Sequence, residues 1–273
     1  MHSKVSILQG LFRPILRLLG MSSPPPSDVE FPGDTCVEDW EACLRERYCS
    51  RDPEKSPKDR SRMKTLKVIT IRRYKERKHA EHEYLIAEVS DPNLNRSHYL
   101  RIERAAEDPP TKDNISPLSS QLSLSSQSSL GALKKVPAHD HVTKMASWPT
   151  TGDICIGSLA CRDSQMILLD LAIVAKVVHD HSDKYQLFKR QCFWYSDVIT
   201  GVLEQHFPQV HKVVYHSSLE AAHARDAEMD SFDKLSGTYM KVPIYFRRMS
   251  VIKEIHDIFV PYKLDFQSSV KVF

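Results

Sequence analysis

Two short runs rich in aromatic and aliphatic residues, 82–89 and 97–104, flank a polar segment that contains proline, asparagine and aspartate. This pattern predicts an antiparallel β-hairpin. Side chains alternate between the two faces of a strand. One face of the first strand then carries His82, Tyr84 and Ile86, and one face of the second carries His98, Leu100 and Ile102. If these two faces coincide, the two histidines approach each other.

A different repeat follows further along the chain, where apolar positions recur every three to four residues. They are Cys192, Tyr195, Ser196, Ile199, Val202 and Leu203, and the six positions together form one stripe. Such a stripe predicts a helix that begins at Cys192 and stops before Pro208, because proline interrupts the hydrogen-bond ladder. Cys192 therefore lies at the first turn of the helix and faces inward.

The remaining patterns predict alternating helices and strands. The predicted elements are a helix over 36–49 with Trp40 and Leu44 on one face, a strand around 66–71, a strand over 153–157, a buried helix capped by Ser164 and reaching His179, a helix over 219–229, a strand over 238–246 and a helix over 251–258. We therefore predict an α+β fold in which an antiparallel sheet packs on helices.

Two segments lack such periodicity. Residues 1–35 include a proline-rich linker, and residues 105–147 hold eight serines between Ser116 and Ser129. Low-complexity polar sequence buries too little apolar surface to fold. We therefore predict a disordered or amphipathic N-terminal segment (1–35), a helix with a basic stretch and hairpin (36–104), a disordered insertion (105–147), and a final part (148–273) that completes one domain with 60–104.

Charge is concentrated in one place. Residues 51–78 contain twelve Lys or Arg and four Asp or Glu, whereas the whole chain has a net charge of +3. Together with the basic amphipathic segment 1–21, this stretch suggests docking on an anionic membrane surface. The alternative is a solvated linker that leads into a strand. Nucleic-acid binding is not supported, because Tyr74 is the single aromatic residue available for stacking.

Composition excludes several classes of protein. No apolar run is long enough to span a membrane, and no glycine-rich phosphate loop or serine-hydrolase motif occurs. The six cysteines form no C-x-x-C pair, so neither a disulfide framework nor a zinc site is predicted and the expected location is intracellular, in the cytoplasm or at a membrane surface. His139-Asp140-His141 and His179-Asp180-His181 are interpreted as exposed turn residues, and no cofactor or metal is expected.

Cys192 is the candidate nucleophile, because a thiol at a helix N-terminus lies where the helix dipole favours the thiolate. His82 is the candidate base and His98 the candidate residue that orients it, as Cys–His catalysis requires. His79 is an alternative base. The structural alternative is that Cys192 is an inert core cysteine and that both histidines are ordinary strand residues.

The order of these residues, a histidine on each of two successive strands and then a cysteine that opens a helix, resembles the lecithin retinol acyltransferase-like family over residues 66–206. The Gln191-Cys192-Phe193-Trp194 segment differs from the Asn-Cys pair usual in that family, and it also resembles a Cys-aromatic-Trp pattern of uncharacterised fungal proteins. The family resemblance implies a circularly permuted papain-like core, with His82 as base, His98 as its orienting partner and Cys192 as the thioester carrier.

The predicted function is thiol-dependent acyl transfer or hydrolysis of a lipid ester or amide, or of a peptide or isopeptide bond, through a Cys192 thioester. The alternative is a non-catalytic interaction module of the same fold that docks an anionic membrane or an acidic partner. The two differ in geometry: an enzyme needs the Cys192 sulfur within hydrogen-bonding reach of a His82 or His98 nitrogen.

Overall fold

A computed structural model describes the main elements of the chain. The described residues are 30–49, 62–76, 82–106, 136–149, 153–162, 164–182, 184–185, 192–214, 238–239, 242–243 and 248–271. The hypotheses for residues 1–21, for the helix over 219–229 and for His79 lie outside these ranges.

Most strands of this described part belong to one antiparallel sheet. They are β1 (Thr35–Cys36), β2 (Lys67–Lys75), β3 (Glu83–Asp91), β4 (Arg96–Ala106), β5 (Val136–Met145), β6 (Ile154–Ala160), β7 (Lys184–Tyr185) and β8 (His211–Val214). The spatial order is β1-β5-β4-β3-β2-β6-β8, with β7 paired to β5. Strands β9 (Thr238–Tyr239) and β10 (Val242–Pro243) form a separate pair. The predicted α+β class with an antiparallel sheet is confirmed.

The helices lie on one side of the sheet, where the C-terminal helix packs mainly on two other helices and the remaining ones pack on the strands. They are α1 (Val37–Cys49), α2 (Leu168–His181), α3 (Cys192–His206) and α4 (Arg248–Lys271). The main core lies between these helices and that face. It includes Leu85 of β3, Ile102 of β4 and Val198 of α3, because alternation along the strands brings these apolar side chains to the helices. A smaller cluster of Tyr74, Tyr84 and Ile86 lies on the other face.

The predicted hairpin is present as β3 and β4, joined by a turn at residues 92–95. Asn95 closes this turn with φ = 48°, a left-handed conformation that asparagine tolerates better than most residues. Asp91 pairs with Arg96, and the register then continues to Tyr84 opposite Glu103. The turn thus decides which side chains of the two strands are neighbours.

Three element boundaries differ from the sequence predictions. Strand β5 lies inside 105–147, the range predicted to be disordered. Ser164 does not cap α2: its hydroxyl donates to the Cys161 carbonyl at 2.7 Å, and α2 starts only at Leu168. The predicted strand over 238–246 is replaced by the short pair β9 and β10.

Helix α4 is longer than the predicted 251–258 and continues through Pro261. It lies very close to α3 at Gly201, where an added Cβ would meet Ile252 Cδ1 at 2.3 Å. A side chain larger than hydrogen therefore does not fit at Gly201 without movement of Ile252. This close approach holds α4 against the helix that starts with Cys192.

Candidate active site

His82 lies immediately before β3, at the end of the sheet. Its Nε2 atom is 2.7 Å from Oε2 of Glu103 on β4. The register explains this contact: Glu103 is opposite Tyr84, and His82 is two residues from Tyr84 on the same face of the sheet. The imidazole and the carboxylate thus meet because of strand pairing.

Cys192 reaches the same imidazole from the first turn of α3. The Cys192 thiol lies close enough to the His82 ring for its interaction with the ring to be one of the causes that raise the pKa of His82. The three side chains therefore form a chain of thiol, imidazole and carboxylate.

The charges within this chain support one another. Burial opposes a charge on His82, but the hydrogen bonds with Cys192 and Glu103 outweigh it and raise the pKa of His82 to about 10. Burial also disfavours the Glu103 carboxylate, yet its bonds with His82 and Arg101 lower the pKa of Glu103 to about 2. At neutral pH the pair is therefore an imidazolium and a carboxylate.

Solvent reaches the two strand residues more easily than the cysteine. The side chains of His82 and Glu103 are 23% and 21% exposed. Cys192 is 5% exposed. Solvent access to the sulfur is therefore from the side of His82 and Glu103.

The structure does not bring His98 to this site, so the expectation that His98 orients His82 is wrong. His98 is opposite Val89, seven residues from His82 along the strand, which is about 20 Å at the usual rise per residue. It also lies on the opposite face, since it shares a face with Leu100 and Ile102. Its ring stacks on Phe31, and Arg96 donates to its Nε2 at 3.1 Å.

Glu103 takes the place expected of His98, and the sequence prediction missed it. The missing information was the register that the turn sets between β3 and β4. Once Asp91 is paired with Arg96, antiparallel counting places Glu103 opposite Tyr84. The error arose because the two histidine faces were assumed to coincide, and a shift of one residue exchanges the faces of a strand.

Arg101 supports Glu103 from the same face of β4. Its Nη2 donates to Glu103 at 2.7 Å and to Glu76 at 3.0 Å. Its guanidinium also lies 3.8 Å from the centre of the Tyr84 ring, a cation–π contact. Glu103 is therefore held from two sides, by an imidazolium and by a guanidinium.

Apolar side chains continue from this site across the same face of the sheet. The His82 and Tyr84 rings have their centres 6.3 Å apart, and the Tyr84 hydroxyl donates to Asp153 at 2.5 Å. Tyr99, Met145, Trp148 and Cys155 pack, partly buried, around Tyr74, Tyr84 and Ile86. This surface offers apolar contacts to a group bound next to His82.

The two His-Asp-His segments were expected to be exposed turns, and this expectation is wrong. Asp140 lies in β5, is 1% exposed, and receives hydrogen bonds from Arg104 at 2.7 and 2.6 Å. His179, in the last turn of α2, has Nδ1 2.7 Å from Asp140 and Nε2 2.6 Å from Glu38. These residues join α2 to β5 and α1. Among the described residues, no three His, Cys, Asp or Glu side chains converge as metal ligands.

Within the described part of the basic stretch, several cations are paired inside the protein. Arg62 lies 3.3 Å from Asp91, and Arg73 lies 2.5 Å from Glu83. Arg72 lies over the Trp148 ring at 4.0 Å. The charge counted from the sequence therefore overstates the positive charge that residues 62–76 expose to a membrane surface. None of the described helices combines the length and apolar character needed to cross a bilayer.

Comparison with known proteins gives no matching family model, no matching curated protein and no matching solved structure.

Proposed function

We propose that this protein is a thiol-dependent acyltransferase or hydrolase in which Cys192 carries the acyl group and His82 transfers the proton. The observation that supports this proposal is the position of the His82 imidazole, which bonds to the Glu103 carboxylate and lies beside the Cys192 thiol. Thiol, imidazole and an orienting polar group are the components of nucleophilic cysteine catalysis. We also propose that the fold is a permuted papain-like core, because the histidine strand precedes the cysteine helix.

In the first half of the proposed reaction, the Cys192 sulfur attacks the acyl carbonyl carbon as a thiolate paired with the His82 imidazolium. The carbonyl π electrons move to oxygen, and backbone N–H groups at the start of α3 stabilise that oxyanion. When the tetrahedral intermediate collapses, the bond to the leaving alcohol or amine breaks and His82 gives the leaving group its proton. The product of this half is a Cys192 thioester.

In the second half, water or an acceptor alcohol or amine attacks the thioester. His82 takes the proton of the attacking group, the carbon–sulfur bond breaks, and the sulfur leaves as a thiolate paired with the His82 imidazolium. Glu103 keeps the imidazole oriented and stabilises its positive charge throughout. Hydrolysis and acyl transfer thus differ only in the nucleophile of this second half.

The proposed substrate is a lipid ester or amide, or a peptide or isopeptide bond. The apolar surface around Tyr84, which includes the partly buried Tyr99 and Trp148, suits a hydrocarbon chain as well as an aromatic peptide side chain. Both substrate classes require the same thioester chemistry.

A second candidate function is a non-catalytic interaction module of the same fold. The observation that favours it is the 5% exposure of Cys192, which is low for a residue that must meet a substrate. In that case the Cys192–His82 contact is part of the packing, and the sulfur stays protected until the protein unfolds.

Site-specific alkylation with iodoacetamide between pH 5 and pH 10 tests the thiol–imidazole pair. Peptide mass spectrometry would follow Cys192 in the wild type, with His82→Ala as the variant and Cys192→Ala as the blank. We expect rapid alkylation at neutral pH in the wild type and at least about tenfold slower alkylation in His82→Ala. Alkylation of Cys192 that starts only when the protein unfolds would instead establish the packing function.

Thioester formation tests the reaction itself. The protein would be incubated with a long-chain acyl p-nitrophenyl ester and, separately, with a peptide thioester, and Cys192 would be analysed by mass spectrometry. We expect an acyl adduct on Cys192 that hydroxylamine removes and that Cys192→Ala lacks. A thiol that is alkylated readily but never acylated by either reagent would contradict the proposed function.

A further inference from the structure

A buried arginine joins the strand of the proposed base to the helix of the proposed nucleophile. Arg73 on β2 is 3% exposed. Its Nε donates to Glu83 Oε2 at 2.6 Å, its Nη1 to Asp197 Oδ1 at 2.7 Å, and its Nη2 to the backbone carbonyl of Phe193 at 3.2 Å. One guanidinium thus contacts two other elements at once, β3 and α3.

The contacts of Arg73 are immediate neighbours of the candidate active site. Glu83 follows His82 in the chain, and Phe193 follows Cys192. Asp197 lies one turn further along α3. Because Glu83 is adjacent to His82 and Phe193 is adjacent to Cys192, a change in the position of Arg73 would also change the positions of His82 and Cys192.

This arrangement depends on the guanidinium as a whole. Glu83 is fully buried, and its Oε1 has no hydrogen-bond partner among the described residues, so its charge relies on Arg73. Arginine presents several donors in a fixed planar fork, whereas lysine has one compact charge on a flexible stem. A lysine at this position would keep the charge but not the three simultaneous contacts.

We infer that Arg73 is a positioning residue that sets the separation between the Cys192 sulfur and the His82 ring. The inference rests on the proposed function, in which this separation controls proton transfer. It assigns Arg73 no contact with the substrate. Its effect passes through Glu83 to the base and through the first turn of α3 to the nucleophile.

Two variants test this inference. Arg73→Lys keeps a charge but loses the fork. The triple variant Arg73→Met, Glu83→Gln and Asp197→Asn removes the whole ion cluster without leaving a buried charge unpaired, which avoids the strong destabilisation expected of Arg73→Met alone. A matched control is Leu44→Ala, which opens the same core in α1, an element that carries no residue of the cluster or of the site.

The measurement is the rate of Cys192 alkylation by iodoacetamide from pH 5 to pH 10, together with the thermal unfolding midpoint. We expect both Arg73 variants to lose about tenfold or more of the rate near pH 6.5, and to keep most of the rate at pH 10, where a thiol ionises without help. Leu44→Ala should lower the midpoint while leaving the shape of the pH profile unchanged.

The results separate this inference from the proposed function. Folded Arg73 variants whose pH profile superimposes on that of the wild type overturn the positioning role, whatever Cys192 does with acyl donors. A change of profile shared equally by Leu44→Ala overturns it as well, because general destabilisation then explains the effect. If wild type and His82→Ala react alike, there is no pair to position and both proposals fail. If the pH profiles of the wild type and of the variants are as expected but Cys192 is not acylated, only the proposed acyltransferase or hydrolase function is overturned.

Discussion

At the scale of single residues, His82 is defined by two neighbours of different chemistry. The carboxylate of Glu103 favours the imidazolium on one side, and the thiol of Cys192 lies on the other. Neither neighbour is adjacent in sequence. The protonation state of His82 therefore depends on strand pairing and on the placement of a helix.

Replacement of Glu103 by glutamine removes the charge but nearly keeps the shape. We expect the pKa of His82 to fall from about 10 by at least about one unit, because a nearby opposite charge is lost. Titration of the His82 ring signals by NMR measures this shift. Glu76→Gln is the matched control, since the Glu76 carboxylate bonds to Arg101, while the contact of Glu76 with His82 is a backbone N–H donated to the His82 carbonyl, which the substitution keeps. An unchanged His82 titration in Glu103→Gln would contradict the assignment of Glu103.

The same shifts make the contribution of His82 to stability depend on pH. The pKa of His82 is raised from 6.5 to about 10, so its contribution is complete below pH 6.5 and is lost as the pH rises through about 10. The pKa of Glu103 is lowered from 4.5 to about 2, so its contribution is present above pH 4.5 and is lost as the pH falls through about 2. Both contributions coexist between about pH 4.5 and 6.5.

Urea unfolding of wild type and His82→Gln from pH 5 to pH 10.5 checks this dependence. We expect the difference in the free energy of unfolding to be largest near pH 6 and to shrink as the pH approaches 10. A difference that is constant over this range would show that His82 contributes to stability through packing alone.

At the scale of elements, the sequence predicts what each segment forms better than which faces meet. The stripe from Cys192 to Leu203 corresponds to α3, and the aromatic runs correspond to β3 and β4. The register between those strands depends on the turn at Asn95, and periodicity within each strand carries no information about it. This is why Cys192 and His82 could be chosen from the sequence and Glu103 could not.

The contact between α3 and α4 gives a prediction at Gly201. In Gly201→Ala, the new methyl group collides with Ile252, and overpacking of this kind costs ~1–3 kcal/mol, partly offset by the better helix propensity of alanine. We expect a net loss of about 1 kcal/mol, measured by urea unfolding. Ile252→Ala in the same chain should recover part of the loss attributable to the collision. Additive losses in the double variant would exclude that cause.

At the scale of the whole molecule, the long segment between β4 and β5 joins two neighbouring antiparallel strands. Ala106 is paired with Ala138, so the two ends of residues 107–135 lie side by side in the sheet. The serine-rich composition of this segment does not indicate where β5 begins. The sheet itself requires only a short connection there.

Replacement of residues 107–135 by a short glycine- and asparagine-containing turn is therefore expected to preserve the fold. A shorter connection loses less entropy when its two ends are brought together, which should stabilise the protein by on the order of 1 kcal/mol. Thermal unfolding and Cys192 alkylation of the shortened chain measure both effects. A large loss of stability would show that this segment contributes packing that the sheet needs.

The sheet order also has a consequence for synthesis. Strands β2 to β5 follow one another as neighbours, but β6, the second partner of β2, is made after them. Until residues 154–160 have emerged from the ribosome, β2 is an open edge that other chains can pair with. Lys67, Arg72 and Lys75 place cations along that strand, and charged edge residues discourage such pairing. We therefore expect chains that end before Ile154 to aggregate more readily when these cations are replaced by threonine, which light scattering of the truncated chains would measure.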